Sequence, residues 1–180
     1  ALDGPVPWAA EECHRAGTVH LGGAMGELAE SERQTRDGEP PQRPFVLVAQ
    51  HAVFDETRAP PGKHTLWAYA HVPNGSTFDM TERIEAQLER FAPGFKARVL
   101  ARVSKSPAQM EAGNANYAGG DISAGSLDGL QLFFRPTKSP TPWATPNPKL
   151  FLCSASTPPG PGVHGMCGVW AARTALARGL

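Results

Sequence analysis

"PFVLVAQ", residues 44–50, reads as a buried strand: continuously apolar, rich in β-branched residues and preceded by proline punctuation. A second strand, "HTLWAYAHVP" (64–73), follows after "FDETRAPPGK", in which Pro61 and Gly62 fit positions i+1 and i+2 of a type II turn. The two are expected as antiparallel neighbours. Trp67 and Tyr69 alternate with Leu66 and Ala68, so one pair faces the core and the other a neighbour or a ligand. Core packing is the role expected of the two aromatic residues.

Working outward, "TVHLGG" (18–23) predicts a short strand ending at a glycine turn. "MGELAESERQTRD" (25–37) predicts a charged surface helix whose apolar residues are only Met25, Leu28 and Ala29. The strongest helix is "DMTERIEAQLERFA" (79–92). Asp79 and Glu82 are spaced as a capping box, and Ile84, Leu88 and Phe91 fall on one stripe. Gly94, in "APGF", can terminate it. Further strands are expected in "KARVLARVS" (96–104), "GLQLFFRP" (129–136) and "KLFLCSAS" (149–156). The proline-rich "TKSPTPWATPNP" (137–148) should be an extended surface loop, and a last helix should run from about Val163 to Ala177. Arg58 belongs to the turn between the first two strands, and Arg135 could hold a carboxylate or a backbone carbonyl. This order predicts an α+β fold, a mixed β-sheet layer covered by helices.

Seventeen basic residues balance seventeen acidic ones, so no net field draws nucleic acid or an anionic membrane. The hydrophobic share, 41%, is that of a globular protein. Three cysteines, Cys13, Cys153 and Cys167, are too few and scattered for a disulfide scaffold, which favours a reducing compartment. The first residues carry no basic and apolar leader pattern, no apolar run approaches the ~20 residues of a membrane helix, and the sequon at Asn74–Ser76 stands alone. The expectation is a cytoplasmic protein. The opening "ALDGPVPW", without methionine, is compatible with a fragment or a processed chain.

"PPGPGVHGMCGVWAAR" (158–173) contains Gly160, Gly162 and Gly165 in the spacing G-x-G-x-x-G. A dinucleotide fold needs that loop after its first strand, inside a βαβ unit of roughly 30 residues. Only fifteen residues follow Gly165, so a self-contained Rossmann loop is excluded. A strand, a Pro-Gly turn and a helix would aim the helix's first free amides beyond the strand's end, where they favour an anionic or electron-rich atom. The plainer reading is a turn before a helix packed closely through Gly165, Gly168, Ala172 and Ala175. His164 and Cys167 form H-x-x-C, but zinc sites come as two close ligand pairs, and no metal is expected. The same Cys–His pair lacks a spaced third residue to orient it as a nucleophile, and no catalytic base can be assigned.

"LFLCSASTPPGPGVHGMCGVWAARTAL" (150–176) resembles the C-terminal signature of the phytoene-desaturase-like branch of FAD-dependent oxidoreductases. "ALDGPVPW", "AGTVHLGG", "DETRAPPGKHTLWAYAHVP", "IEAQLERFAPGF", "NANYAGGDISAG" and "QLFFRP" occur in the order of that family's C-terminal half, so the resemblance spans nearly the whole chain. It implies a substrate-binding domain of the amine-oxidase/phytoene-desaturase type over 1–148 and a returning flavin segment over 149–180. The family's N-terminal Rossmann FAD domain, with its own G-x-G-x-x-G, is missing.

On that resemblance the amides of Val163, His164, Gly165 and Met166 would face the flavin pyrimidine edge and counter the charge that develops as the ring accepts a hydride. The turn from Gly160 to Gly162 would pass near the ribityl chain. Ser154 and Ala155 stand where many such proteins carry Gly-Asp, which puts a direct ribityl or pyrophosphate contact there in doubt. Whether His164 contributes its ring or only its backbone stays open. In "NANYAGGD", Asn114, Asn116, Gly119, Gly120 and Asp121 would line the substrate side or simply form an Asn/Gly turn.

The function so implied is part of an oxidoreductase passing hydride from an apolar small molecule to FAD, inactive without the missing FAD domain. The alternatives are a non-catalytic α+β module that binds a ligand or partner, and a homodimer formed through the exposed inter-domain face.

Overall fold

The structure, a computed structural model, describes residues 1–126 and 129–179. The chain divides into two units, Ala1–Gly113 and Asn114–Leu180. The fold is α+β.

In the first unit, Val46 and Val48 have no exposed surface and occupy the middle of a three-stranded sheet. Strands β1 (Thr18–Leu21), β2 (Val46–Ala49) and β3 (Trp67–Ala70) are ordered β1-β2-β3. Val19 pairs with Val48 and Leu21 with Val46, while Val46 and Val48 pair onward with Ala70 and Ala68. Because side chains alternate along a strand, this register puts one apolar row on the inner face. The sheet is antiparallel throughout rather than mixed, because the later segments expected to extend it form no strands.

Against the inner face lie helix α2 (Thr81–Phe91) and the amino-terminal segment, while helix α1 (Met25–Arg36) adds no residue to the core cluster. Helix α1 leaves Met25 largely exposed and buries Ser31, whose hydroxyl accepts the Phe45 amide at 3.1 Å. Helix α2 places Leu88 in the core with Ile84 and Phe91 packed at its margin, as the stripe predicted. Leu2, Val6 and Trp8 complete the cluster, with Ala92 and Phe95 just after α2. Gln50, 5% exposed, joins these layers: its Oε1 accepts the Trp8 indole N–H at 2.8 Å and its Nε2 donates to the Cys13 and Ala16 carbonyls.

The ends of α2 differ from the expected capping box. Asp79 accepts the Thr81 amide and hydroxyl, whereas Glu82 turns away to Lys96, 3.5 Å distant. At the other end Gly94 takes φ +88 and the Glu89 carboxylate accepts the Gly94 and Lys96 amides. Pro60 and Lys63 close the predicted turn through a 2.9 Å bond around Gly62, at φ +74. Arg58 pairs with Asp55 at 2.8 Å in the same connection.

The outer face corrects one expectation. Leu66, just before β3, and Ala68 and Ala70 within it supply the core contacts, and Trp67, 49% exposed, lies on the opposite side with Tyr69, ring centroids 5.2 Å apart. Residues 96–104 are not a strand: Lys96–Arg98 is a 3-10 turn, Val99 makes a single bridge to Leu2, and Val103 is 91% exposed. A short helix α3 (Pro107–Gly113) ends the unit.

In the second unit, residues 129–136 are again not a strand. Gly129–Leu132 is a 3-10 helix begun by Gly129 at φ +50, and the Phe133 and Phe134 amides turn back to the Leu130 carbonyl. Residues 149–156 supply only one bridge, Phe151 to Ala144. Ala144 belongs to the proline-rich segment, which is therefore a braced turn rather than an extended loop. Helix α4 (Met166–Ala177) closes the unit and starts three residues later than expected, because Gly165 at φ +65 forms its left-handed entry. Arg135, 3% exposed, donates to the carbonyls of Ser123, Ala124 and Ser126, the backbone option of its two expected roles.

Candidate functional site

Between Cys153 and Gly168 the chain enters α4 after folding around a side chain that has no exposed surface, Thr157. Its amide and hydroxyl both donate to the Ser154 carbonyl, at 2.9 and 2.8 Å, and its own carbonyl accepts the Gly160 amide at 2.8 Å. The buried Cys167 thiol, on the first turn of α4, donates to the Thr157 and Gly160 carbonyls at 3.5 and 3.4 Å. Trp143 braces the turn from outside: its indole N–H donates to the Pro158 carbonyl at 2.9 Å, and its ring stacks on Trp170 of α4 at 5.6 Å.

The result is an open cavity of about 170 Å³ lined by Cys153, Ser154, Ala155, Gly160, Pro161, Gly162, His164, Gly165, Cys167 and Gly168. Sites that enclose a whole small ligand run to roughly 300–1,000 Å³, so this one is sized for an end or an edge. Gly160, Gly162 and Gly165 have φ of +98, +150 and +65, which side-chain-bearing residues rarely adopt. A Cβ added at Gly165 or Gly168 would meet nothing within 4 Å, so the missing side chains leave free space there.

Of the expected cofactor-contacting residues, Ser154, Ala155, Gly160, Gly162, His164 and Gly165 come together around this cavity. Val163, fully exposed, and Met166 do not line it. The Met166 amide is already engaged, donating to His164 Nδ1 at 2.9 Å. The amides of Val163, His164, Gly165, Cys167 and Gly168 make no hydrogen bond among the described residues. The sequence marks Gly168, with Gly160, Gly162 and Gly165, as leaving room for a flat ring or a phosphate, but assigns no amide contact to it or to Cys167; the helix start three residues late is what leaves their amides unpaired.

The substrate-side candidates lie elsewhere in the unit and form a self-contained loop. Asn114 Oδ1 accepts the Asn116 amide at 3.0 Å, Gly119 and Gly120 take φ +62 and +80, and the Asp121 carboxylate accepts the Ser123 and Gly125 amides. Among the described residues no group of three or more His, Cys, Asp or Glu side chains could hold a metal ion.

Among the described residues the ionisations that shift lie in the first unit. Glu27 is drawn from its ordinary 4.5 down to about 2, chiefly by the Arg90 guanidinium and then by the Ala24 amide and Arg43. Asp55 is lowered to about 2 by the Thr57 hydroxyl and Arg58, and Asp79 is lowered by the Thr81 hydroxyl and amide. Each is explained by a surface ion pair or a turn. The cavity offers backbone donors and glycine-shaped space.

The chain is 30% identical over 153 residues to the mouse protein named pyridine nucleotide-disulfide oxidoreductase domain-containing protein 2, covering 78% of this chain and 26% of that protein. The rat protein of the same name is 29% identical over the same shares. The chain spans about a quarter of the length of these curated relatives. No family model matches it, and no solved structure matches significantly. The chain is thus a distant homologue of part of a protein named for an oxidoreductase domain. Among the described residues no helix is long and apolar enough to cross a membrane.

Proposed function

We propose that the chain is the C-terminal portion of an FAD-dependent, phytoene-dehydrogenase-like oxidoreductase and that the cavity at the start of α4 receives the flavin end of the cofactor. The observation that carries this reading is a glycine-lined cavity beside unpaired backbone amides, in a distant homologue of a named oxidoreductase-domain protein. When bound, flavin would supply the acceptor for hydride from an apolar small molecule.

The residues of this chain have three tasks in that reading. The amides of His164, Gly165, Cys167 and Gly168 donate to electron-rich ligand atoms, where fixed donors are worth most against developing negative charge. Gly160, Gly162 and Gly165 let a flat group approach the backbone. The Thr157, Ser154 and Cys167 bonds hold the loop in place before the ligand arrives, so no ordering is needed at the moment of binding. Ser154 and Ala155 furnish wall but no carboxylate, so the adenosine and pyrophosphate half must be held by an N-terminal FAD domain acting as partner. In the same reading residues 1–148 form the substrate side, with Asn116, Gly119, Gly120 and Asp121 nearest the substrate, and the protein works in the cytoplasm.

Titration of the purified 180-residue chain with FMN and with FAD, followed by flavin absorbance and fluorescence, tests this. Comparable affinities and no turnover are expected, because only the shared ring end is gripped. Binding of neither flavin, or FAD held far more tightly than FMN, overturns it.

A further inference from the structure

His164 can act through its backbone alone or through its ring, and three observations single out the ring. Its Nδ1 lies 2.9 Å from the Met166 amide nitrogen. Its Cδ2–Nε2 edge lies over Gly162: a Cβ added at Gly162 would sit 2.7 Å from His164 Cδ2 and 3.0 Å from Nε2. The residue also lines the cavity together with Gly162, Gly165 and Gly168.

A backbone N–H can only donate. Nδ1 must therefore present its lone pair, and in the neutral ring the proton is fixed on Nε2. This removes the ambiguity of an imidazole free to exchange tautomers. It also joins two ends of the loop that sequence alone would leave independent, the entry of α4 and the Gly162 backbone. Gly162 has to lack a side chain for two reasons at once, its φ of +150 and the ring above it. The α4 entry itself has no other side-chain cap, since Gly165 occupies the capping position.

We propose that His164 is a positioning residue: through Nδ1 it takes the Met166 amide, locks its own ring as the Nε2–H tautomer, and so sets the start of α4 and the donor-bearing edge of the cavity. The ligand class this edge suits is one presenting hydrogen-bond acceptors, a carbonyl or ring-nitrogen edge. In naming flavin as that ligand the inference rests on the functional reading above; the tautomer and the loop geometry do not.

The test uses the whole 180-residue chain. Long-range ¹⁵N spectra of the wild-type protein at neutral pH should show a protonated Nε2 and a pyridine-like Nδ1. In His164→Ala the Met166 amide should exchange with solvent about tenfold faster, the scale of one lost hydrogen bond. His164→Asn, whose side-chain oxygen replaces Nδ1, should restore most of the protection, and His164→Gln should not. FMN affinity should follow the same order. An Nδ1–H tautomer in the wild type, or Met166 exchange unaltered by His164→Ala, overturns the proposal. If the alanine variant does not fold, the wild-type tautomer still decides. If the spectra and exchange come out as expected while FMN fails to bind the wild type, the flavin reading falls and the positioning role stands.

Discussion

At the scale of single residues the first unit is tied together by a few polar side chains. Gln50 ties Trp8 to the Cys13 and Ala16 carbonyls, so the amino-terminal segment and β2 share one buried amide. Gln87, 3% exposed, donates to the Pro44 carbonyl just before β2. Glu27 plays the same part nearer the surface, bonded to Arg90 of α2, to Arg43 and to the Ala24 amide. Its carboxyl is lowered from 4.5 to about 2, so its contribution to stability is complete above its unfolded value and is lost as the pH falls toward 2. Urea midpoints measured at several pH values across that window should fall with acidification. In Glu27→Gln the slope should flatten by up to about one proton taken up on unfolding. An unchanged slope would mean that the Arg90 pair does not hold α1 in solution. Because the side chain sits at a screened surface, the effect should also shrink in high salt.

At the scale of elements, α2 is the piece on which the first unit depends, since it brings Leu88 against β1 and β3 from one stripe. Leu88→Ala removes a side chain that is 2% exposed and leaves a cavity, and should cost roughly 2–5 kcal/mol, read as a lower denaturation midpoint. Exposed Leu100→Ala is the matched control and should cost little. The same element shows what could be read from sequence. The stripe Ile84, Leu88, Phe91 and the continuous apolar run at 46–48 are each strong enough to identify the element, and β1, β2, β3, α1 and α2 lie within the stretches expected of them. The segments at 96–104, 129–136 and 149–156 also carry apolar residues, yet a strand needs a partner to accept its hydrogen bonds as well. Val99 and Phe151 find one bridge each and Gly129 turns its segment into a 3-10 coil. For the candidate site, glycine spacing located the loop, whereas the His164–Met166 bond and the late start of α4 depend on side-chain direction, which spacing does not encode.

At the scale of the molecule the two units are built on different principles. The first has a contiguous apolar cluster running from Leu2 to Phe95. Among the described residues of the second, the buried apolar side chains of Cys167 and Ala171 are small, and order comes from Thr157, Arg135 and the Trp143–Trp170 stack. Hydrophobic burial scales with area, so the second unit should be the weaker one. Each unit carries its own pair of tryptophans: Trp8 and Trp67 in the first, Trp143 and Trp170 in the second. In urea, fluorescence of a Trp8→Phe/Trp67→Phe variant should report loss of the second unit before far-ultraviolet circular dichroism reports loss of the sheet. Coincident transitions would show one cooperative whole instead.

The sheet itself has two open edges, β1 and β3, and each is four residues long. At about 3.3 Å per residue that is a ladder of roughly 13 Å. A second chain seeking to add a strand would find only a few backbone groups to pair with before the chain turns away, at Gly22–Gly23 on one side and before Pro73 on the other. Brevity is one of the devices by which natural sheets resist edge-to-edge aggregation. Lengthening β1 or β3, rather than mutating the core, is therefore the change by which this protein would most readily be turned into a fibre former.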